Sequence, residues 1–341
     1  MSTLPLLPEP SSKLIGIARL AANGESLRQG HEIEYFTLPA RSLLNRCSGV
    51  RMPFAWTINP YRGCEFACKY CYARYTHEFM EMRDGSDFER KIYVKQWAAE
   101  LLRQELRQVK ADEDIAIGTA TDPYQPAERR FEVTRAILQE LGRHEGLRLG
   151  LVTKSNLILR DVELLKKIGR LHRLSVTLTI TTLNVALARL LEPRAPRPDL
   201  RLETVRKLSE SGIHTGVSCA PVLPGISDSA RELEALVRAV AAAGGKYVFA
   251  NPLFLKPCSA AVFFPFLEKE FPELMESYRK RYQDRAFLPK AYGQRLSRVM
   301  ERLRQKYGIL GSRGETAERA QSIHRAQAQL SLFPGERLAK R

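Results

Sequence analysis

Apolar residues in the middle of the chain alternate between two patterns. Short runs rich in β-branched residues read as buried strands at Trp56-Thr57-Ile58, Asp114–Gly118, Leu147–Val152, Ser175–Ile180, His214–Ala220 and Tyr247–Ala250. Between them, apolar positions recur at helical spacing over 88–108, 131–145, 161–169, the stretch ending near Leu191, 199–211 and 228–243. Gly212 and Gly244-Gly245 close two of these helices. Six strand–helix alternations predict an α/β fold with a parallel sheet and right-handed crossovers. A closed eight-stranded barrel needs two more units, so the expected fold is a partial (βα)6 barrel. After Leu255 the pattern turns helical, at 267–284 and 291–307. The expected organisation is an N-terminal extension (1–50), the barrel (51–255), a helical C-terminal extension (256–310) and a basic, mobile tail (311–341). Within the extension, 1–30 reads as loosely structured, and Ile33–Leu44 mixes strand and turn signals.

Polar residues collect where the strands end. Thr119-Ala120-Thr121-Asp122-Pro123 follows the second strand, Thr153-Lys154-Ser155 the third and Thr181-Thr182 the fourth. In α/β barrels this end carries the chemistry. The run Glu192–Pro198 holds three prolines and reads as a rigid loop. Glu192 and Arg194 are candidates to pair with one another there, or to bind substrate.

Charge and cysteine usage narrow the class. No apolar run approaches the roughly 18 residues of a membrane span. The start, MSTLPLLPEPSSK, lacks the charged-then-apolar order of a secretory signal. The expectation is a cytoplasmic protein without a membrane partner. The net charge of +16 is concentrated late, since residues 279–341 hold sixteen Lys/Arg and five Asp/Glu. Such a region suits a phosphate-rich partner such as a nucleic acid. Six cysteines in 341 residues are too few for a disulfide scaffold, and the clustering of three argues for metal.

Those three are Cys64, Cys68 and Cys71 in NPYRGCEFACKYCY. Soft thiolates suit iron–sulfur or zinc. Structural zinc and ordinary ferredoxin clusters take four protein ligands. Three thiolates on a [4Fe–4S] cube leave one iron open to a substrate or cofactor. His77, six residues past Cys71, leaves a Cys3His zinc site arithmetically available, and Cys47 would be a fourth cysteine ligand in a simple electron carrier. Cys47, Cys219 and Cys258 otherwise read as small apolar residues.

The C-x3-C-x2-C spacing, with an aromatic before the last cysteine, resembles the signature of the radical S-adenosylmethionine (SAM) superfamily. NPYRGCEFACKYCYAR, GTATDPYQPAE, TKS with a nearby RD, and EPRAP are together similar to the group named after spore photoproduct lyase, over about residues 53–255. The resemblance implies a partial TIM-type barrel with a [4Fe–4S] cluster and SAM as cofactors. It implies reductive cleavage of SAM to a 5′-deoxyadenosyl radical, which abstracts hydrogen from a substrate. A flavodoxin- or ferredoxin-like external electron donor is implied as well. By the same resemblance, Cys64, Cys68 and Cys71 hold the cluster and Tyr70 packs on adenine. Thr121 and Asp122 contact the SAM amine, Lys154 contacts SAM with a charge that suits its carboxylate, and Thr179 and Thr181 form the polar pair on strand four. One position departs: the lyase has a hydrogen-donating cysteine where Thr119 stands, and a hydroxyl is a poor hydrogen-atom donor. Spore photoproduct repair is therefore not expected, and the substrate stays open. The alternative reading is a zinc- or iron–sulfur-stabilised nucleic-acid-binding protein without radical chemistry.

Overall fold

The computed structural model describes residues 14–30, 32–47, 54–110, 113–283 and 285–311. Its main sheet contains six parallel strands: β1 (Trp56–Ile58), β2 (Asp114–Ile117), β3 (Arg148–Thr153), β4 (Arg173–Thr179), β5 (Thr215–Val222) and β6 (Val248–Pro252). Each pairs with the next in chain order, as strand–helix–strand crossovers require. The result is the expected partial barrel. Ile115, Ile117, Leu151, Val176, Leu178 and Val217 from its strands are fully buried. The helices cover the sheet with one apolar stripe each. Ala230–Ala242, for example, buries Leu233, Leu236, Val237 and Val240, and Ser229 caps its start by accepting from the Glu232 amide. Each such side chain contributes about 1.5–3 kcal/mol on burial.

The structure departs from the sequence pattern in three places. The 88–108 stretch is not one helix but a turn of helix (Asp87–Arg90), a strand (Lys91–Lys95) and a helix (Ala98–Glu105). Ile92-Tyr93-Val94 suits a pleated surface. Pairing with Ile33–Leu38 and Tyr61–Arg62 decides its conformation, which local spacing could not reveal. The helix expected over 267–284 is split into Pro257–Glu270 and Met275–Tyr282. Phe271 precedes Pro272 and leaves the helical region with φ −145° and ψ 57°, because proline crowds the residue before it. Lastly, the region before residue 50 is woven into both sheets. Gly16–Ala22 is helical, and Ser26–Gly30 and Ile33–Leu38 belong to a second, four-stranded sheet. Leu44–Arg46 adds an antiparallel seventh strand beside β1.

The C-terminal region is helical as expected. Lys290–Tyr307 buries Leu296 and Met300, and Leu310 then lies alongside the start of β6, accepting from the Val248 amide at 2.9 Å. Residues 312–341, most of the expected tail, lie outside the described residues. Among the described residues no helix is long and apolar enough to cross a membrane.

Strand β2 hands over to the loop that matters for function at Gly118. Its φ of +87° is left-handed, and a Cβ there would stand 2.5 Å from Pro123 Cδ and 2.6 Å from the Val152 carbonyl oxygen. Gly118→Ala is expected to lower unfolding free energy by about 1–3 kcal/mol, read as a lower urea midpoint at unchanged slope. An unshifted midpoint would show that the loop yields at no cost.

Candidate active site

The cysteine loop leaves the short strand Tyr61–Arg62 and is tied down by its backbone. The Cys64 amide donates to Phe88 O at 2.9 Å, and the Lys69 amide to Leu191 O at 2.9 Å. The Arg194 amide donates back to Phe66 O at 3.4 Å. Ser259 Oγ donates to the Cys71 carbonyl at 2.9 Å. Arg74, 2% exposed, donates to Cys68 O at 3.1 Å, to Gly85 O and to Glu89 at 2.5 Å. Arg74 is thus a buried stud under the loop. Gly63, φ +82°, is needed for close approach to the 88–91 backbone, where a Cβ would stand 2.7 Å from Lys91 O.

The loop after β2 meets the cysteine loop through side chains. Thr121 Oγ1 donates to Gly63 O at 2.6 Å and accepts from Gln125 Nε2 at 2.9 Å. Gln125 Oε1 accepts from the Glu65 amide at 3.0 Å, and Glu65 accepts from Tyr35 OH at 2.9 Å and the Ala127 amide at 2.7 Å. Asp122 is buried and bridges two strand ends. Its Oδ1 accepts from Thr153 Oγ1 at 2.6 Å and the Tyr124 amide at 2.9 Å, and its Oδ2 from the Lys154 amide at 2.7 Å. Burial still pushes its carboxyl above the ordinary value.

Tyr70 reaches the end of β4. Its hydroxyl lies 3.0 Å from Thr181 Oγ1 and donates to Glu192 Oε1. Glu192 does not pair with Arg194. It pairs with Arg201 at 2.5 Å, each side chain 1% exposed. Lys154 Nζ lies 5.8 Å from the Tyr70 ring centroid. Burial lowers the pKa of Lys154, but Cys68 and Glu192 outweigh it, so the ammonium is held above its usual range. Burial likewise opposes ionisation of Glu192, yet Arg201 and Lys154 keep its carboxyl below the usual value. Thr179 is buried beside them and lends its carbonyl to Arg201 at 3.0 Å.

Arg201, Gln125 and Glu65 join the site only through the folded chain. Arg201 had a signal: with Thr204, Val205 and Leu208 it occupies the buried stripe of Pro198–Glu210, where a charged residue calls for a buried partner. Glu65 and Gln125 meet only through tertiary contact.

Cys64 and Cys68 are buried and Cys71 is half-buried. Burial pushes all three thiols up, Cys68 to about 12, and for Cys64 repulsion from Asp122 and the other two cysteines adds to this. Burial of this kind holds the thiols protonated until positive charge nearby opposes it. Among the described residues no three His, Cys, Asp or Glu groups converge to the spacing of one ion. Three thiols on one loop are the kind of donor set that an iron–sulfur cluster takes. His77 is used elsewhere: its Nε2–H donates to Lys91 O at 3.1 Å, and its ring packs edge-on against Phe88 and Tyr93. Cys219 is 1% exposed with its thiol toward Thr181 O at 3.8 Å, while Cys47 and Cys258 are half-buried.

Cysteine spacing, partial barrel and polar strand ends define a SAM-dependent radical enzyme class, and comparison with known proteins agrees. The Radical SAM superfamily profile matches residues 58–238, and the chain belongs to that superfamily of enzymes. An uncharacterized protein of Mycobacterium tuberculosis is 33% identical over 308 residues, 89% of this chain and 90% of that protein. An uncharacterized protein of Methanocaldococcus jannaschii is 29% identical over 246 residues, 72% of this chain and 86% of that protein. Among solved structures, a spore photoproduct lyase variant with bound AdoMet and dinucleoside spore photoproduct superposes with TM-score 0.61 at 16% identity, over 80% of this chain and 79% of that one. At that identity the likeness is one of fold.

Burial lowers the pKa of His77 to about 4. The unfolded chain then binds more protons than the folded one between about pH 6.5 and 4, so stability falls as pH falls through that window. The expected loss from this residue is about 3 kcal/mol between pH 7 and 4, and His77→Gln should flatten the slope in urea unfolding. An equal slope in the variant would place the acid sensitivity in other groups.

Proposed function

We propose that Cys64, Cys68 and Cys71 hold a [4Fe–4S] cluster and that the protein uses it to cleave SAM. When bound and reduced, the cluster supplies the electron that breaks a sulfonium C–S bond, giving a 5′-deoxyadenosyl radical that abstracts hydrogen from substrate. The observation that supports this most directly is the gathering of three thiols, two buried and one half-buried, beside polar strand ends, with a cationic Lys154 over Tyr70. In this reading Lys154 orients the SAM carboxylate by charge. Thr121 and Asp122 face the amine, and Asp122 also holds the β2 and β3 ends at a set distance. Thr179, Thr181 and Tyr70 border the nucleoside, and the apolar surroundings exclude water. The electron comes from an external flavodoxin- or ferredoxin-like donor.

The substrate reading rests on the surface beside Cys71. Tyr72 stacks on Tyr75 at 6.5 Å and meets Phe254 at 6.3 Å, and Phe254 stacks on Phe287 at 4.5 Å. Lys256 Nζ sits 3.7 Å from the Tyr75 ring centroid. Tyr72 is 42% exposed and Phe287 56% exposed. Exposed flat rings suit stacking with a nucleic-acid base, and Lys256 and the basic C-terminal region suit its phosphates.

Anaerobic reconstitution should yield brown protein with about four irons. Reduction with SAM should release 5′-deoxyadenosine. Ala at Cys64, Cys68 or Cys71 should abolish iron uptake, Cys47→Ala should not, and Lys154→Met should weaken SAM binding on the order of tenfold. Colourless protein with one zinc would replace this reading with that of a zinc-stabilised binding protein.

Binding of single-stranded DNA or RNA should weaken steeply from 50 to about 200 mM salt. Deleting 311–341 should reduce that slope. Salt-independent binding, or none, would remove nucleic acid from the reading.

A further inference from the structure

Glu192 and Arg201 form a buried ion pair to which the proposed reaction assigns no step. Both side chains are 1% exposed, and the contact is 2.5 Å. Their remaining polar atoms are committed as well. Arg201 Nε donates to Pro196 O at 2.7 Å and Nη1 to Thr179 O at 3.0 Å. Glu192 Oε1 accepts from Thr181 Oγ1 at 3.1 Å and from the Tyr70 hydroxyl. The pair therefore ends on Tyr70, which stands between Cys68 and Cys71 in the chain. The segment that carries Glu192 also meets the cysteine loop by backbone bonds, from the Lys69 amide to Leu191 and from the Arg194 amide to Phe66.

Stability alone gives a poor account of such a pair. Replacing a buried ion pair with apolar residues of similar volume is often neutral or stabilising, because desolvation of two charges offsets their attraction. What a fixed pair does supply is two charges in a medium where charges act further than in water. Tyr70 carries the pair to the cysteine loop, and Lys154 Nζ lies 5.8 Å from its ring centroid.

We propose that Glu192 and Arg201 are positioning residues whose opposed charges set the reduction potential of the cluster held by the cysteine loop. The inference rests on the cluster reading above. Reduction adds one electron, delivered by the external one-electron carrier, and so adds one negative charge to the cluster. A neighbouring carboxylate disfavours the reduced form and lowers the potential, while a neighbouring guanidinium raises it. With both present the two effects oppose.

The test is a potentiometric titration followed by electron paramagnetic resonance on reconstituted full-length protein, with dithionite as reductant and without SAM. Iron content is measured alongside. Glu192→Gln should raise the midpoint and Arg201→Met should lower it, each by about tenfold in the reduction equilibrium, 59 mV for one electron. The double variant Glu192→Gln/Arg201→Met should return to the wild-type midpoint. Tyr70→Phe, which removes the hydroxyl and no charge, should leave it in place. If the single variants lose iron but the double variant keeps it at the wild-type midpoint, charge balance at the cluster is still the explanation. Loss of iron in all three, or full iron with midpoints that do not move in opposite directions, overturns the inference and leaves the pair a scaffold. Wild-type protein that takes up no iron overturns the cluster reading itself, and this inference with it.

Discussion

The rest of the structure depends on carrying three thiols into an interior that disfavours their ionised form. Burial pushes each of them up, and they repel one another once charged. The fold meets this by fixing the loop through its backbone. Phe88, Leu191, Ser259 and Arg74 bond the loop's backbone, from four separate parts of the chain. A buried backbone that found no such partners would cost about 1–3 kcal/mol per lost bond. With those partners in place, the loop keeps its shape through bonds that leave its side chains out of the account.

A second constraint follows from the same burial. Asp122, Lys154, Glu192 and Arg201 lie around the cysteine loop with alternating sign. Three of them are held by named bonds: three hydrogen bonds on Asp122, two hydroxyls and a guanidinium on Glu192, and that carboxylate with two carbonyls on Arg201. Isolated charges at this depth would be neutralised or expelled. Alternation lets several of them share one site, and it places a cation beside Tyr70, where an anionic cofactor group would meet it.

The barrel explains why these groups meet at all. Parallel strands joined by right-handed crossovers bring their C-terminal ends to one rim. Thr121, Thr153 and Thr181 arrive there from three different strand ends, although they are far apart in the chain. Asp122 then pins β2's loop to β3, and Arg201 pins the Pro196 loop to β4. The rim is thus stitched laterally by side chains, while the sheet below is stitched by its backbone.

Spacing and periodicity alone determined much of this protein. The three-cysteine loop, the six strand–helix units and the polar strand ends were all readable, because each is a local pattern with a local physical cause. Tertiary structure decided the remainder. Lys91–Lys95 is a strand because Ile33–Leu38 lies beside it, against a helical spacing in its own segment. Glu192 chose Arg201 over the nearer Arg194, because a helix start turned Arg201 inward and left Arg194 exposed. Arg74 became a buried stud for the same kind of reason. Partner choice among charges and strand pairing among short segments depend on which surfaces the fold brings together, and a linear pattern carries no term for that distance.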